Sequence, residues 1–356
     1  MTPPELARRR LYAQHIVATR CRTPGEVVAA LGAVQAQDYA AAKWAVGLRL
    51  PDAVDADIER AITNRTIVRT WPMRGTLHFV AAADVRWLLA LLAPRVMAAT
   101  AGRHRQLELT PDDLARSRDA LVAALHGGRR LTRDGMYRAL EMAGIATTGQ
   151  RGIHILGHLA RQAVLCFGPH EGKQPTFVLL DEWLPPSSAL DRDTALAELA
   201  RRYFAGHGPA TPQDFMGWAG LTTADARAGL AAAQADLAQA TLDGQDYWQS
   251  PATLDPGHPV EGVHLLAAYD EFLLGYRDRS ASLDPGDAQA VAPGANGVFR
   301  PIIVVDDRVV GTWSRTVKGG SVAVTPLPFP GQPAVGRAAF AAAAERYARF
   351  LGCSLV

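Results

Sequence analysis

The sequence predicts an α+β, mainly α fold: three tandem winged helix-turn-helix units plus a C-terminal β-rich module. Three observations predict it. A Thr-Pro-x-Asp/Glu string occurs at 23–26, 110–113 and 211–214, and helical periodicity passing into strand-like runs recurs in the same order three times. The last hundred residues lose that order and alternate like antiparallel strands. The segments expected are 1–85, 86–190, 191–255 and 256–356.

Each Thr-Pro string outlines a capping box. The threonine hydroxyl accepts from the backbone N–H three residues on, proline needs no donor at the first helical position, and the acid favours the positive helix end. In the first segment a helix over about 4–19 precedes the one opened by Thr23, and "DADIERAITN" at 55–64 supplies a third. "TIVRTWPMRGTLHFV" then reads as two strands around a Trp71-Pro72 turn. In the second segment, "PDDLARSRDALVAAL", "TRDGMYRALEMAG" and "GQRGIHILGHLARQA" are helical, and "VLCFGPHEGKQPTFVLL" holds two strands around a Gly/Pro turn.

The third copy runs "TALAELARRYFAG", "PQDFMGWAG" and "TADARAGLAAAQADL", then "ATLDGQDYWQS", where Asp243-Gly244 is a hairpin signal. "VHLLAAYDEFLLGYRDR" leads into a Pro/Gly/Asp-rich stretch at 284–297 that reads as a mobile loop. "VFRPIIVVDDRVVGTWSRTVKGGSVAVTP" reads as consecutive strands, and "AFAAAAERYARFLG" as a terminal helix.

At 356 residues, 48% hydrophobic and 20% charged, the chain has the composition of a globular protein. No apolar run approaching a membrane span and no secretory signal is read, so a cytoplasmic, nucleoid-associated location is expected. Cys21, Cys166 and Cys353 are too few and too scattered for a disulfide framework. Net charge is only +2, yet Lys43, Lys173 and Lys318 are the only lysines among 37 basic residues, the rest being arginine. Arginine forks suit phosphates, although genome bias produces the same excess.

"GAVQAQDYA" at 32–40 places Gln35 and Gln37 at the end of the helix opened by Thr23. Val28, Leu31 and Gln35 share the buried stripe of that helix, where Gln35 stands in for an aliphatic residue. Gln37 would lie ~200° further round an ideal helix, so the two amides share one side only if the helix ends near Gln35 and the chain extends. An amide is no general base, but it holds a water and supplies negative potential beside a developing cation. Asp38 is the alternative base; read more plainly, it is a turn or capping residue.

Gln35-Ala36-Gln37 resembles the Gln-x-Gln element of the AlkZ/YcaQ-type DNA glycosylases, in the AlkZ branch rather than the Gln-x-Asp branch. "WPMRGTLHF" at 71–79, "YDEFLLGYRDR" at 269–279 and "VVGTWSR" at 309–315 are similar to that family as well, so the resemblance spans the chain. It implies tandem winged helices and hydrolysis of the N-glycosidic bond of N7-alkylated purines in double-stranded DNA, with bulky adducts and interstrand crosslinks included. A cationic purine departs neutral, so the enzyme's task is to stabilise an oxocarbenium-like sugar and aim water at it. Gln37 is expected to position the water and Gln35 to support it or the sugar, in a monomer without metal or cofactor. Some relatives protect producers of DNA-alkylating natural products.

Arg65, Arg69, Arg74 and His78, around the first wing, are expected to contact DNA, with Trp71 or Met73 as a wedge or as buried core. Arg308, Arg315 and Lys318 are candidates for a DNA-probing hairpin. Asp270, Glu271, Arg277, Asp278 and Arg279 form a charged lining or a structural ion-pair network. His154 and His158 have metal-ligand spacing but no glutamate follows the first, and no metal is expected. Lys43 is the only lysine near the glutamines, and no lyase chemistry is expected from it. A non-catalytic winged-helix regulator is the rival reading, disfavoured because regulators more often pair one such motif per subunit. An adduct-sequestering protein is a second rival, separated from the first reading by direct assay of base release.

Overall fold

The computed structural model describes residues 1–187, 189–253, 260–294 and 297–356. It divides into two compact units, Met1–Ile58 with Leu196–Val356, and Glu59–Ala195. These units cut across the four segments expected from the sequence, whose 255/256 boundary falls outside the described residues.

Within Glu59–Ala195 the strands run in the order Thr76–Ala81, Ile67–Met73, Leu165–Glu171, Gln174–Leu179, Leu131–Thr132. Two wing-like hairpins thereby merge into one sheet through Arg69 opposite Phe167. The first hairpin turns at Arg74-Gly75, both at positive φ, and not at Trp71-Pro72. Pro72 sits inside its strand where the register shifts between Thr70 and Met73, and such a bulge tolerates a missing N–H. Trp71 packs on Phe167 at 5.0 Å within a core that includes Leu121, Met136, Leu156 and Phe177.

The Val85–Gln106 helix, unread as a single element in the sequence, meets a membrane span's length and hydropathy. Its first three turns are buried in the fold through Trp87, Leu88, Leu89, Leu91 and Leu92, as a core helix would be. The Pro111–Leu125, Arg133–Met142 and Arg151–Arg161 helices match the sequence reading.

In the discontinuous unit the three Thr-Pro boxes that belong to it are formed at Thr2, Thr23 and Thr211, and a fourth stands at Thr110 in the other unit. The Thr2 box, "TPPE", was not among the expected ones and starts Pro3–Ala13, a helix that stops well before residue 19. Asp243 and Gly244, both at positive φ, close the two-residue turn between Ala238–Leu242 and Gln245–Gln249. Part of the stretch expected as a mobile loop is a short helix at Ala288–Val291; residues 295–296 lie outside the described residues.

A five-stranded sheet runs Ser354–Leu355, Ser321–Pro328, Arg308–Lys318, Ile302–Val305, Val263–Leu266. The Arg337–Leu351 helix packs on it and on Tyr39–Gly47, an N-terminal helix absent from the sequence reading. Trp44 meets Tyr347 and Phe350 at 5.0 Å each and donates through Nε1 to Leu265 O at 2.7 Å. Trp313 meets Tyr347 at 5.0 Å from the other side and donates to Leu266 O at 2.8 Å. Buried aromatics with satisfied N–H groups thus bind the first fifty residues to the last hundred.

Candidate active site

Thr23 opens the Pro24–Ala30 helix with its hydroxyl on Glu26 N at 3.2 Å. The helix stops there, five residues short of Gln35, so Gln35 is not on its buried stripe. Leu31 caps the end, Gly32 at φ +72° turns the chain, and Val34–Gln35 is extended. Burial alternates past the strand: Val34 and Ala36 are buried, while Gln35 and Gln37, the latter in the bend that follows, are the more open positions. Gln35 is half-buried and Gln37 exposed. Asp38 accepts from Ala41 N at 3.0 Å as N-cap of Tyr39–Gly47, the capping reading of that residue.

Behind the extended segment lies a buried polar cluster. Glu271, 1% exposed, accepts the Gln35 backbone N–H at Oε1 (3.3 Å) and Trp218 Nε1 at Oε2 (2.9 Å). His207 Nε2 stands 3.2 Å from the same Oε2. The buried Nδ1 of His207 has no partner, which assigns the proton to Nε2, since an unmet N–H costs more than an unmet lone pair. Tyr203 stacks on the imidazole at 4.8 Å. Gln14 Nε2 donates to Glu271 O and to Tyr276 Oη, and the Tyr276 hydroxyl donates to His207 O at 2.6 Å. Burial pushes the Tyr203 and Tyr276 phenols up, so both stay neutral donors.

The neighbouring Asp270 serves a separate purpose. Arg49, fully buried, grips its carboxylate with Nη1 at 2.9 Å and Nη2 at 2.8 Å. Its Nε donates to Gln14 O and its Nη1 to Ala45 O, while Asp270 also caps Phe272 N. Of the expected charged lining, Asp270 and Glu271 are therefore interior. Arg277 N and Asp214 Oδ1 bond at 2.7 Å, Asp278 accepts from Ser280 N, and Arg279 Nε donates to Leu273 O.

The first-wing residues are dispersed in their own unit. Arg65 stacks on Trp183 at 4.4 Å, and Arg69 is 8% exposed over the Phe167 ring. His78 is fully buried with Arg74 Nη2 at 3.2 Å from its Nε2. Trp71 and Met73 are buried, which removes the wedge reading: their side chains belong to the core. His154 and His158 gather with His104, at ring separations of 5.8 and 5.4 Å. Burial, His104 and Arg161 push His158 down to about 4.

In the C-terminal sheet Arg308 and Lys318 occupy opposite ends of one strand, while Arg315 lies over the Tyr347 ring at 5.7 Å. Lys318 precedes the Gly319-Gly320 tip; Thr316, Val317 and Lys318 before it are exposed, whereas Ser321 after it is half-buried and Val322 buried. Lys43 Nζ is paired to Asp55 at 2.7 Å.

The chain matches the family model described as DNA glycosylase AlkZ-like over residues 28–350. It is 27% identical over 331 residues to an interstrand DNA cross-link repair glycosylase of Streptomyces sahachiroi, covering 85% of this chain and 84% of that one. The solved structure of Streptomyces sahachiroi DNA glycosylase AlkZ is similar with a TM-score of 0.82 and 25% identity, over 100% of both chains.

Proposed function

The chain belongs to the AlkZ-like DNA glycosylase family, and from that membership we propose that Gln35 and Gln37 drive hydrolysis of the N-glycosidic bond of N7-alkylated purines in double-stranded DNA. The observation that carries this reading is the placement of two amides at a strand end and the bend after it, one half-buried and one exposed, with the residue between them buried. Alkylation at N7 makes the purine cationic. The C1′–N9 bond breaks with its electron pair going to the base, which leaves neutral, and positive charge develops on the sugar. The amide oxygens stabilise that charge, Gln37 holds the water, and the water's oxygen bonds to C1′ as its proton passes to solvent. The products are an abasic site and the free base.

Asp38, the alternative base, spends one oxygen on a helix cap, which favours the amides for the water-holding role. Lys43 is held by Asp55 as an ammonium partner and is not offered as a Schiff-base nucleophile. The exposed 316–318 end of the strand that leads into the Gly319-Gly320 tip is proposed to reach the duplex as the enzyme acts, a monomer in the cytoplasm. Helices leading into the hairpins at 67–81, 165–179 and 238–249 support three winged-helix units as the DNA-facing scaffold. Bulky adducts and interstrand crosslinks fall within the same chemistry, because a base leaving from an open surface need not be swallowed by a pocket.

Release of 7-methylguanine from methylated duplex under single turnover tests the assignment. Gln37→Ala should slow release by about a hundredfold, since one such stabilising group is worth roughly 3 kcal/mol, with DNA affinity nearly unchanged. Wild-type rates in both Gln35→Ala and Gln37→Ala would remove the glutamines from the reaction.

A further inference from the structure

Glu271 is too deeply buried to meet a substrate, yet it stands directly behind the segment that carries both amides. Its carboxylate joins elements that are remote in sequence. Gln35 lies 236 residues away, Trp218 53 and His207 64. Three N–H groups converge on two oxygens, the arrangement of an acceptor-only carboxylate. Packing holds the same segment from the same side. A Cβ on Gly32 would lie 3.3 Å from the Trp218 ring, and one on Gly206 would lie 2.3 Å from Ala30 O. The Pro24–Ala30 helix end, its turn and the extended residues are therefore seated on the helices that contribute His207 and Trp218.

The Val34–Gln35 strand is only two residues long, and Glu271 adds a side-chain anchor to its backbone at Gln35. Resting on the assignment of Gln35 and Gln37 to catalysis, we propose that Glu271 is a positioning residue: held by Trp218 and His207, it fixes the Gln35 backbone N–H and so the aim of both amides. The Oε1 bond to Gln35 sets the segment's depth. The Oε2 bonds to Trp218 and His207 keep the carboxylate from rotating away. The negative charge also lies behind the amides, on the side from which a developing sugar cation is favoured through a low-dielectric interior.

The test uses the full-length protein and N7-methylated duplex. Glu271→Gln replaces one acceptor oxygen with a donor at constant size, and it is measured in the wild-type and Gln37→Ala backgrounds. Glu271→Gln should slow single-turnover release by about tenfold alone but by less than about twofold beside Gln37→Ala, because a residue acting through the amides loses its effect when one is gone. Hydrogen exchange at the Gln35 amide should quicken in Glu271→Gln, a signal that needs no catalysis. Equal slowing in both backgrounds, or unchanged Gln35 exchange, overturns the proposal. Should Gln37→Ala itself keep the wild-type rate, the catalytic assignment falls, while the exchange result still decides whether Glu271 anchors the segment. If Glu271→Gln does not fold, Trp218→Phe removes the Oε2 donor in its place; it should give the same pattern, and a wild-type rate with wild-type exchange overturns the proposal.

Discussion

Arg49→Ala should be among the most damaging single substitutions in the discontinuous unit. The guanidinium is wholly buried and makes five hydrogen bonds, two of them to an Asp270 carboxylate that is 3% exposed. Truncation leaves that charge in the interior with no counterion, and removing one member of a buried pair costs about 3–5 kcal/mol. Against a total stability of about 5–15 kcal/mol, this is a large share. For a unit of this size it corresponds to a fall in Tm of roughly 6–20 °C. Urea titrations followed by Trp fluorescence and far-UV circular dichroism give the free energy from the midpoint and slope. The double variant Arg49→Ala with Asp270→Ala should lose less than the sum of the two single losses, because it strands no charge. A loss under about 1 kcal/mol for Arg49→Ala, or full additivity in the double variant, would refute the buried-pair argument.

Three further outcomes follow from other sites. His158 titrates at about 4 in the fold against 6.5 unfolded, so the unfolded chain binds the extra proton between those values. Stability should be unaffected above pH 6.5, fall as pH drops from 6.5 to about 4, and fall less steeply in His158→Gln, as read from Tm against pH. Gly206→Ala drives a Cβ to 2.3 Å from Ala30 O, a backbone atom with little room to move. It should cost about 3 kcal/mol in urea titrations and slow base release per folded molecule. Arg315→Ala with Lys318→Ala should weaken duplex binding and flatten its salt dependence in anisotropy titrations, while loss of the Tyr347 contact costs about 0.5–1 kcal/mol.

What could be read in the sequence was what local chemistry decides. The Thr23, Thr110 and Thr211 boxes each lie within four residues, and each is formed. The Thr2 box obeys the same rule and went unread beside its second proline. The Tyr39–Gly47 helix was missed because Ala41 to Gly47 are buried on all sides, which erases the amphipathic period that marks a helix. Pro72 signalled a turn, but a bulge accommodates it within a strand. At the candidate site the glutamines were visible, and so was the condition that they share a side only on extended backbone. Glu271 was visible only as one charge in "YDEFLLGYRDR". Nothing near it in the chain announces a bond to residue 35, since such a partner is chosen by tertiary packing.

The same 236-residue separation bears on the order of events at the ribosome. The Glu59–Ala195 unit is continuous and has its own core, so it has what it needs to collapse while translation proceeds. The first 58 residues emerge earlier but lack their seat until the chain beyond Leu196 follows. At 5–20 residues per second, the Gln35 segment waits roughly 10–50 s for Glu271 to be synthesised. A nascent or prematurely terminated chain therefore carries Gln35 and Gln37 before the Glu271 carboxylate that bonds the Gln35 N–H has been made.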